Sequence, residues 1–357
     1  MSNIRIEKLR SALKGKNLNS AVIFKPENMY YLCGYTGEGF ILITENKIYI
    51  FTDFRYVEQA KKESPYCEIV EYKPGISPYS LLSKVLKENN IYNTGIEENI
   101  ITLKNFEDLK QNLEGIEIGR IGGVVEKIRM IKDEEEIENI KTAQKIADMA
   151  FIYILDFIKP GISEKEIALE LEFFIKKNGA EGLSFPTIVA SGERASLPHG
   201  EPTERKLKTG DFVTLDFGAK FKHYCSDMTR TVFLGKPNEE QLKIYRIVRE
   251  AQEKALEYIR PGVLGKDVDK VSRDIIESEG FGPNFGHGLG HGVGIEIHEE
   301  PRLSKLGEEE LKPGMVITVE PGIYIENFGG VRIEDLVVVT EQGIKNLTKS
   351  SKDLIIL

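Results

Sequence analysis

At 357 residues the chain has room for two domains, each able to bury a core. Hydrophobic residues at 41% and charged residues at 29% exclude wholesale disorder, and no run approaches the roughly 18 apolar residues that span a bilayer. A formal net charge of -9 with scattered lysines provides no basic stripe, so nucleic acid and membrane are not expected partners and peptides or small molecules remain.

Met1 to Arg10 mixes charge with isolated Ile and Leu and lacks the apolar stretch of a signal peptide, which predicts a cytoplasmic protein. Up to about residue 125, short apolar runs alternate with helical patterns. Strands are expected at Ser20 to Phe24, Phe40 to Thr44, Ile48 to Phe51 and Cys67 to Tyr72. Helices are expected at Ile4 to Lys14, Tyr56 to Glu63, Ser80 to Lys87 and Thr102 to Leu109, giving an α/β domain with a mixed sheet. Cys33, Cys67 and Cys225 are far apart, odd in number and without metal or redox spacing, and are expected to be reduced structural thiols. Gly122 and Gly123 interrupt the pattern and set a domain boundary near residue 125, dividing 1–125 from 126–357. A long helix then opens at the acidic cluster Asp133 to Glu136, with a core face of Ile137, Ile140, Ala143, Ala147, Ala150 and Ile154, and ends at Pro160-Gly161.

The second domain repeats itself at an offset of about 100 residues. Ile158-Lys159-Pro160-Gly161 returns as Ile259-Arg260-Pro261-Gly262, each followed by a helix that stops at Gly179 or Gly280. Leu207 to Gly218 (LKTGDFVTLDFG) returns as Leu311 to Gly322 (LKPGMVITVEPG), which aligns Asp216 with Glu320. Each is followed by a second carboxylate heading an apolar strand, Asp227 and Glu334. Two such halves about a pseudo-twofold axis bring the carboxylate pairs face to face. A lone Asp at a strand end is mostly a turn or cap residue, but the duplicated pairing outweighs that reading. Four carboxylates in one cleft repel and resist ionisation unless cations neutralise them.

The fifth candidate lies in Phe285 to Pro301 (FGHGLGHGVGIEIHEEP). Glycine at alternate positions predicts an extended segment with His287, Leu289 and His291 on one face and a bare face that other elements can approach. Four of the five histidines, His199, His287, His291 and His298, fall in two short stretches of this domain. The segment matches neither G-x-G-x-x-G nor H-E-x-x-H. A shell of carboxylates with one imidazole suits manganese, cobalt or zinc. It exceeds what one tetrahedral zinc takes, whereas two ions about 3.5 to 4 Å apart can share bridging carboxylates and activate water. No nucleophile elbow or serine or cysteine partner for these histidines is evident, and Asp216-Phe217-Gly218 lacks the other protein-kinase motifs.

Residues 128 to 350 resemble the pita-bread metallopeptidases: prolidase, aminopeptidase P and methionine aminopeptidase. The resemblance rests on Leu215-Asp216-Phe217-Gly218-Ala219, Ser226 to Thr231, Gly286 to His291, Glu320-Pro321-Gly322 and Arg332-Ile333-Glu334-Asp335. The first domain, with Asn28 to Tyr35 and Thr52 to Tyr56, resembles the creatinase-type N-terminal domain of prolidases and aminopeptidase P. The resemblance implies a C-terminal domain of pseudo-twofold halves around a curved antiparallel sheet. It also implies two divalent ions, manganese first and cobalt or zinc as alternatives, held by Asp216, Asp227, His291, Glu320 and Glu334. The implied reaction is cleavage before proline, foremost in Xaa-Pro dipeptides, with the Xaa-Pro aminopeptidase reaction on longer peptides as the alternative and an inactive peptide-binding module as a remote one. Glu320 would shuttle the proton, His199 and His298 stabilise the tetrahedral intermediate, His287 line the proline side, and Arg332 and Tyr324 hold the ligands. A homodimer is likewise implied, with the first domain over the neighbour's cleft.

Overall fold

The chain breaks into two units between Arg129 and Met130 in a computed structural model that describes residues 3–357. The first unit runs α1 (Asn3–Lys14), β1 (Ser20–Ile23), α2 (Pro26–Cys33), β2 (Phe40–Thr44), β3 (Ile48–Thr52), α3 (Val57–Glu63), β4 (Glu68–Glu71), α4 (Pro78–Glu88), β5 (Asn93–Ile96), α5 (Leu103–Asn112), β6 (Glu117–Arg120) and α6 (Val124–Arg129). Its six strands form one sheet in the order β4-β3-β2-β1-β5-β6. β1, β2 and β3 pair antiparallel, and the outer pairings are parallel. The sheet is therefore mixed, as the alternation of runs predicts. Val22, Leu42, Phe51, Leu82, Leu86 and Leu109 meet in its core.

Four elements of this unit are absent from the sequence reading: helices α2 and α6 and strands β5 and β6. Helix α2 lies inside the Asn28 to Tyr35 motif, started by Pro26 in its first turn and ended by Gly34 in the left-handed conformation at φ 80°. Strands β5 and β6 also form, both short, each pairing parallel within the sheet. Cys33 and Cys67, distant in sequence, are brought together as neighbouring free thiols, and the Cys33 thiol donates to Met29 O at 3.3 Å.

The second unit begins with α7 (Glu134–Leu155) and α8 (Glu164–Lys177), then β7 (Gly182–Leu183), β8 (Ile188–Ser191), β9 (Phe212–Phe217), β10 (Ala219–Phe221), β11 (Tyr224–Cys225) and β12 (Met228–Phe233). It continues with α9 (Glu239–Tyr258), α10 (Gly265–Ser278), β13 (Gly290–Gly292), β14 (Glu299–Leu303), β15 (Val316–Val319), β16 (Gly322–Ile325), β17 (Gly329–Arg332), β18 (Asp335–Thr340) and β19 (Gly343–Asn346). Capping boxes start three of the helices: Asp133 with Glu136, Ser163 with Glu166, and Asn238 with Gln241. Helix α7 stops at Leu155, before Pro160, because the amides of Phe157 and Ile158 both turn back onto the Ile154 carbonyl.

The duplication is present in the hydrogen bonding. Gly161 N donates to Leu207 O and Gly262 N to Leu311 O, both at 2.9 Å. Leu207 N donates to Ile162 O and Leu311 N to Val263 O, both at 2.8 Å. Isolated bridges join Ser163 to Lys206 and Leu264 to Glu310 at matching places. Each half packs its helix pair, α7 with α8 or α9 with α10, and carries one antiparallel strand pair at its centre, β9 with β12 or β15 with β18. Separate apolar clusters serve the two halves, one around Ile154, Leu171, Leu215 and Phe217, the other around Val248, Val268, Ile317 and Val337. Among the described residues no helix is long and apolar enough to cross a membrane.

Candidate metal centre

Each of the five candidate ligands sits at or beside the end of a central strand. Asp216 lies within β9, opposite Thr229 of β12, and Asp227 immediately precedes β12. Glu320 follows β15 and Glu334 precedes β18, two strands paired so that Val319 faces Asp335. The halves join directly, for Glu334 N donates to Thr229 O at 3.1 Å, and within the second half Glu320 N donates to Leu289 O at 2.8 Å. All five line one cleft of about 460 Å³.

The histidine segment departs from a single extended strand. Between Phe285 and His298 only Gly290–Gly292 is strand, β14 beginning at Glu299, and the register shifts between His291 and Gly292. Leu289 turns into the apolar core, while His287 and His291 face the cleft. The bare glycine faces are used as expected: a Cβ on Gly290 would stand 2.1 Å from Thr318 O, and one on Gly292 would stand 2.2 Å from Glu300 O. His291 can therefore sit on a strand with neighbours pressed against both flanking glycines.

The electrostatics of the cluster call for a cation. His291 Nδ1 lies 3.0 Å from Gly292 O, and because a carbonyl only accepts, Nδ1 carries the hydrogen. Its Nε2 then faces Glu320 Oε1 at 3.3 Å and Asp227 Oδ2 at 3.6 Å, lone pair against lone pair unless a proton or metal stands between. One oxygen each of Asp216 and Glu334, Oδ1 and Oε1, is buried without a hydrogen-bond partner, an arrangement that native structures avoid unless something fills it. Ligand atoms of Asp227, His291 and Glu334 all lie within 4.8 Å of one another. Burial, reinforced by Glu334 and Asp216, pushes the Asp227 carboxyl well above its ordinary value. Burial together with Glu320 and Asp216 does the same to Glu334, and burial raises Asp216 despite Arg332. Glu320 goes the other way. Burial works against its charge, but the hydrogen bond and charge of His291 hold it near 2. A donor set of four oxygen ligands and one imidazole fits hard or borderline divalent cations.

Surrounding groups fix these candidate ligands. Arg332 donates to Asp216 Oδ2 at 2.6 Å, to Thr229 Oγ1 at 3.0 Å and to the Tyr324 hydroxyl at 2.8 Å. The Thr229 hydroxyl donates to Glu334 Oε2 at 2.6 Å. Tyr324 touches no candidate ligand. It reaches the cluster through Arg332 and donates to His287 Nε2 at 2.8 Å, while His287 Nδ1 donates to Gly288 O. Both His287 nitrogens are thereby engaged. His298 is exposed in the cleft, its ring 4.5 Å from that of His291, and burial of its ring with the nearby charge of His291 lowers its pKa to about 4. His199 is exposed on the cleft wall.

Several residues in or behind the lining escaped the sequence reading. Thr229 is the partner of both Glu334 and Arg332, and Thr318 accepts from His291 N at 3.1 Å and donates to Glu320 Oε1 at 3.3 Å. Phe185, Pro186, Ile188, Pro198 and Ile297 give the cleft an apolar side, and Arg302 places a guanidinium on its wall. Thr229 lies within the motif Ser226 to Thr231, but none of these residues carries a local signal of the contacts it makes.

The family described as Metallopeptidase family M24 matches residues 138–341, and the Creatinase/Prolidase N-terminal domain matches residues 5–131. The Xaa-Pro dipeptidase of Pyrococcus furiosus is 42% identical over 353 residues, covering 98% of this chain and 99% of that protein. The solved Xaa-Pro dipeptidase of Bacillus anthracis is 45% identical with a TM-score of 0.95, covering 99% of each chain. The solved X-Pro aminopeptidase of Thermotoga maritima is 40% identical with a TM-score of 0.91, covering 99% of this chain and all of the other.

Proposed function

We propose, for a chain that belongs to metallopeptidase family M24 and carries the creatinase/prolidase N-terminal domain, that it hydrolyses the peptide bond before proline in Xaa-Pro dipeptides. The observation that carries this reading is the facing set of His291 Nε2, Asp227 and Glu320 beside the two orphaned oxygens of Asp216 and Glu334. Two divalent cations would be held by Asp216, Asp227, His291, Glu320 and Glu334, manganese foremost and cobalt or zinc as alternatives. Such ions, when bound, polarise the scissile carbonyl and lower the pKa of water.

The protein's own groups do the rest. Glu320, ionised and half-buried, accepts the proton of the attacking water and passes it to the proline nitrogen. His298, neutral above about pH 4, offers an N–H to the oxygen that gains charge in the transition state, with His199 beside it. His287 presents a ring edge, since both nitrogens are occupied. The apolar side made by Phe185, Pro186 and Ile188 suits a pyrrolidine ring, and Arg302 supplies a charge partner for the dipeptide carboxylate. Arg332 holds Asp216 in place, with Tyr324 behind it.

The likeness to an X-Pro aminopeptidase supports a second reading, release of the residue before proline from longer peptides. Turnover of a Xaa-Pro dipeptide against a Xaa-Pro-Xaa tripeptide, with manganese restored to metal-stripped protein, separates the two, and preference for the tripeptide overturns the dipeptidase assignment. A cytoplasmic homodimer completes the proposal, and a monomer by light scattering contradicts that part.

A further inference from the structure

The turn that carries His298 into the cleft is held by a buried ion pair from a distant part of the chain. Lys132 Nζ lies 3.0 Å from Glu299 Oε2, with side chains only 1% and 6% exposed. Glu299 directly follows the exposed His298. Its other oxygen, Oε1, accepts from Glu296 N at 3.2 Å, closing the turn. Gly294 N donates to Glu296 O at 3.0 Å, and Gly294 O accepts from Cys225 N at 2.8 Å. A Cβ on Gly294 would stand 2.5 to 2.7 Å from the Glu299 carboxylate, so the glycine is what lets that carboxylate tuck into the turn. Lys132 is itself anchored, its backbone N donating to Gly314 O at 2.9 Å. Both ends of the pair are thus fixed to the second half of the repeat.

We infer that Lys132 is a positioning residue for the cleft: through Glu299 it sets the turn 294–299 and so the placement of His298 against His291. The inference rests on the peptidase reading of the cleft. The His298 ring packs edge-on against that of His291, but where that ring stands is set by the glycine-containing turn that carries it, and a donor displaced by about 1 Å from the reacting centre forfeits on the order of 100-fold in rate. The Lys132 to Glu299 contact supplies the missing constraint from behind, out of water, where an ion pair of fixed geometry resists movement.

The test is a double-mutant cycle between Lys132 and His298, read as kcat and KM on a Xaa-Pro dipeptide with manganese, together with histidine ring NMR of the metal-free proteins. Lys132→Met is expected to lower kcat by about 10- to 100-fold with KM held within about threefold. In a His298→Ala background the same substitution should cost less than about threefold more, because its route to the chemistry is gone. The His298 ring resonance should move in Lys132→Met while those of His199 and His287 stay, and Lys132→Arg should recover part of the lost kcat. Losses that multiply in the double variant, or a His298 resonance that does not move, overturn the inference. Should Lys132→Met fail to fold, Glu299→Gln carries the same cycle and is judged by the same outcomes. A wild-type protein inactive on every Xaa-Pro peptide defeats the peptidase reading instead, and the NMR arm then decides the clamp alone.

Discussion

The Thr229 hydroxyl donates to Glu334 Oε2 at 2.6 Å and accepts from Arg332 Nε at 3.0 Å, tying a candidate ligand of one half of the repeat to a strand of the other. The contact fixes which Glu334 oxygen is spoken for, and leaves Oε1 as the one turned to the cluster. Thr229→Val keeps the shape and removes both bonds. Metal affinity should fall about 10- to 100-fold, and the stranded Arg332 Nε should cost about 1 to 3 kcal/mol of stability. Calorimetric titration of manganese into stripped protein checks the first, and denaturant unfolding the second. Unchanged affinity would remove Thr229 from the support of the site.

Metal should matter more to stability as pH rises. The carboxyls of Asp227 and Glu334 are pushed well above their ordinary values, chiefly by burial, and Asp216 is raised as well. Above the ordinary carboxylate range the unfolded chain has released these protons while the folded, metal-free protein still holds them. Folding then binds protons, and stability falls as pH rises. Glu320, held near 2, has the opposite sign, but its contribution is lost only as pH drops below the ordinary range toward 2. Cations replace the protons, so the gain in Tm on adding manganese to stripped protein should be larger at pH 8 than at pH 5. An equal or smaller gain at pH 8 contradicts the cluster as a cation site.

The histidine strand tolerates no side chain on its bare face. Gly290 places the position of a Cβ 2.1 Å from the backbone oxygen of Thr318, and backbone cannot swing aside as a side chain does. Gly290→Ala should therefore force β13 away from Thr318, whose hydroxyl accepts from His291 N. A destabilisation of about 2 kcal/mol or more is expected, with weakened manganese binding because His291 moves with the strand. Thermal unfolding with and without manganese checks both effects.

How far the sequence reveals this site depends on the range of the interaction. Asp216, Asp227, Glu320 and Glu334 are legible because each marks the end of an apolar strand in a pattern that occurs twice, and a duplicated pattern specifies which strands must meet. Helix α2 was legible in principle, since Pro26 at its start and Gly34 at its end are local signals. Leu289 was misplaced because alternation holds only where the chain is strand, and the strand begins at Gly290. The pairing of Lys132 with Glu299 and of Thr229 with Glu334 has no local signature at all. Each joins residues more than 100 positions apart, and only the closed tertiary structure brings them together.

Two conservative substitutions separate holding a cation from moving a proton. Asp227 is nearly buried, flanked by His291 and by the charges of Glu334 and Asp216, and has its carboxyl raised by that company. Asp227→Asn removes a negative donor from a crowded set while retaining its size. Hydrolysis should vanish with metal binding, and the fold should persist, because the amide is neutral at every pH, like the protonated carboxyl that the crowded metal-free site favours. Glu320→Gln keeps one coordinating oxygen but cannot accept a proton. The expectation there is different: manganese stoichiometry largely retained, KM little changed, and kcat reduced by about 100- to 10,000-fold. Metal analysis of both purified variants beside their kinetics distinguishes the cases. If Glu320→Gln loses its metal as completely as Asp227→Asn, Glu320 acts as a ligand alone and the proton must travel by another group; if it keeps wild-type kcat, the proton shuttle is assigned to the wrong carboxylate.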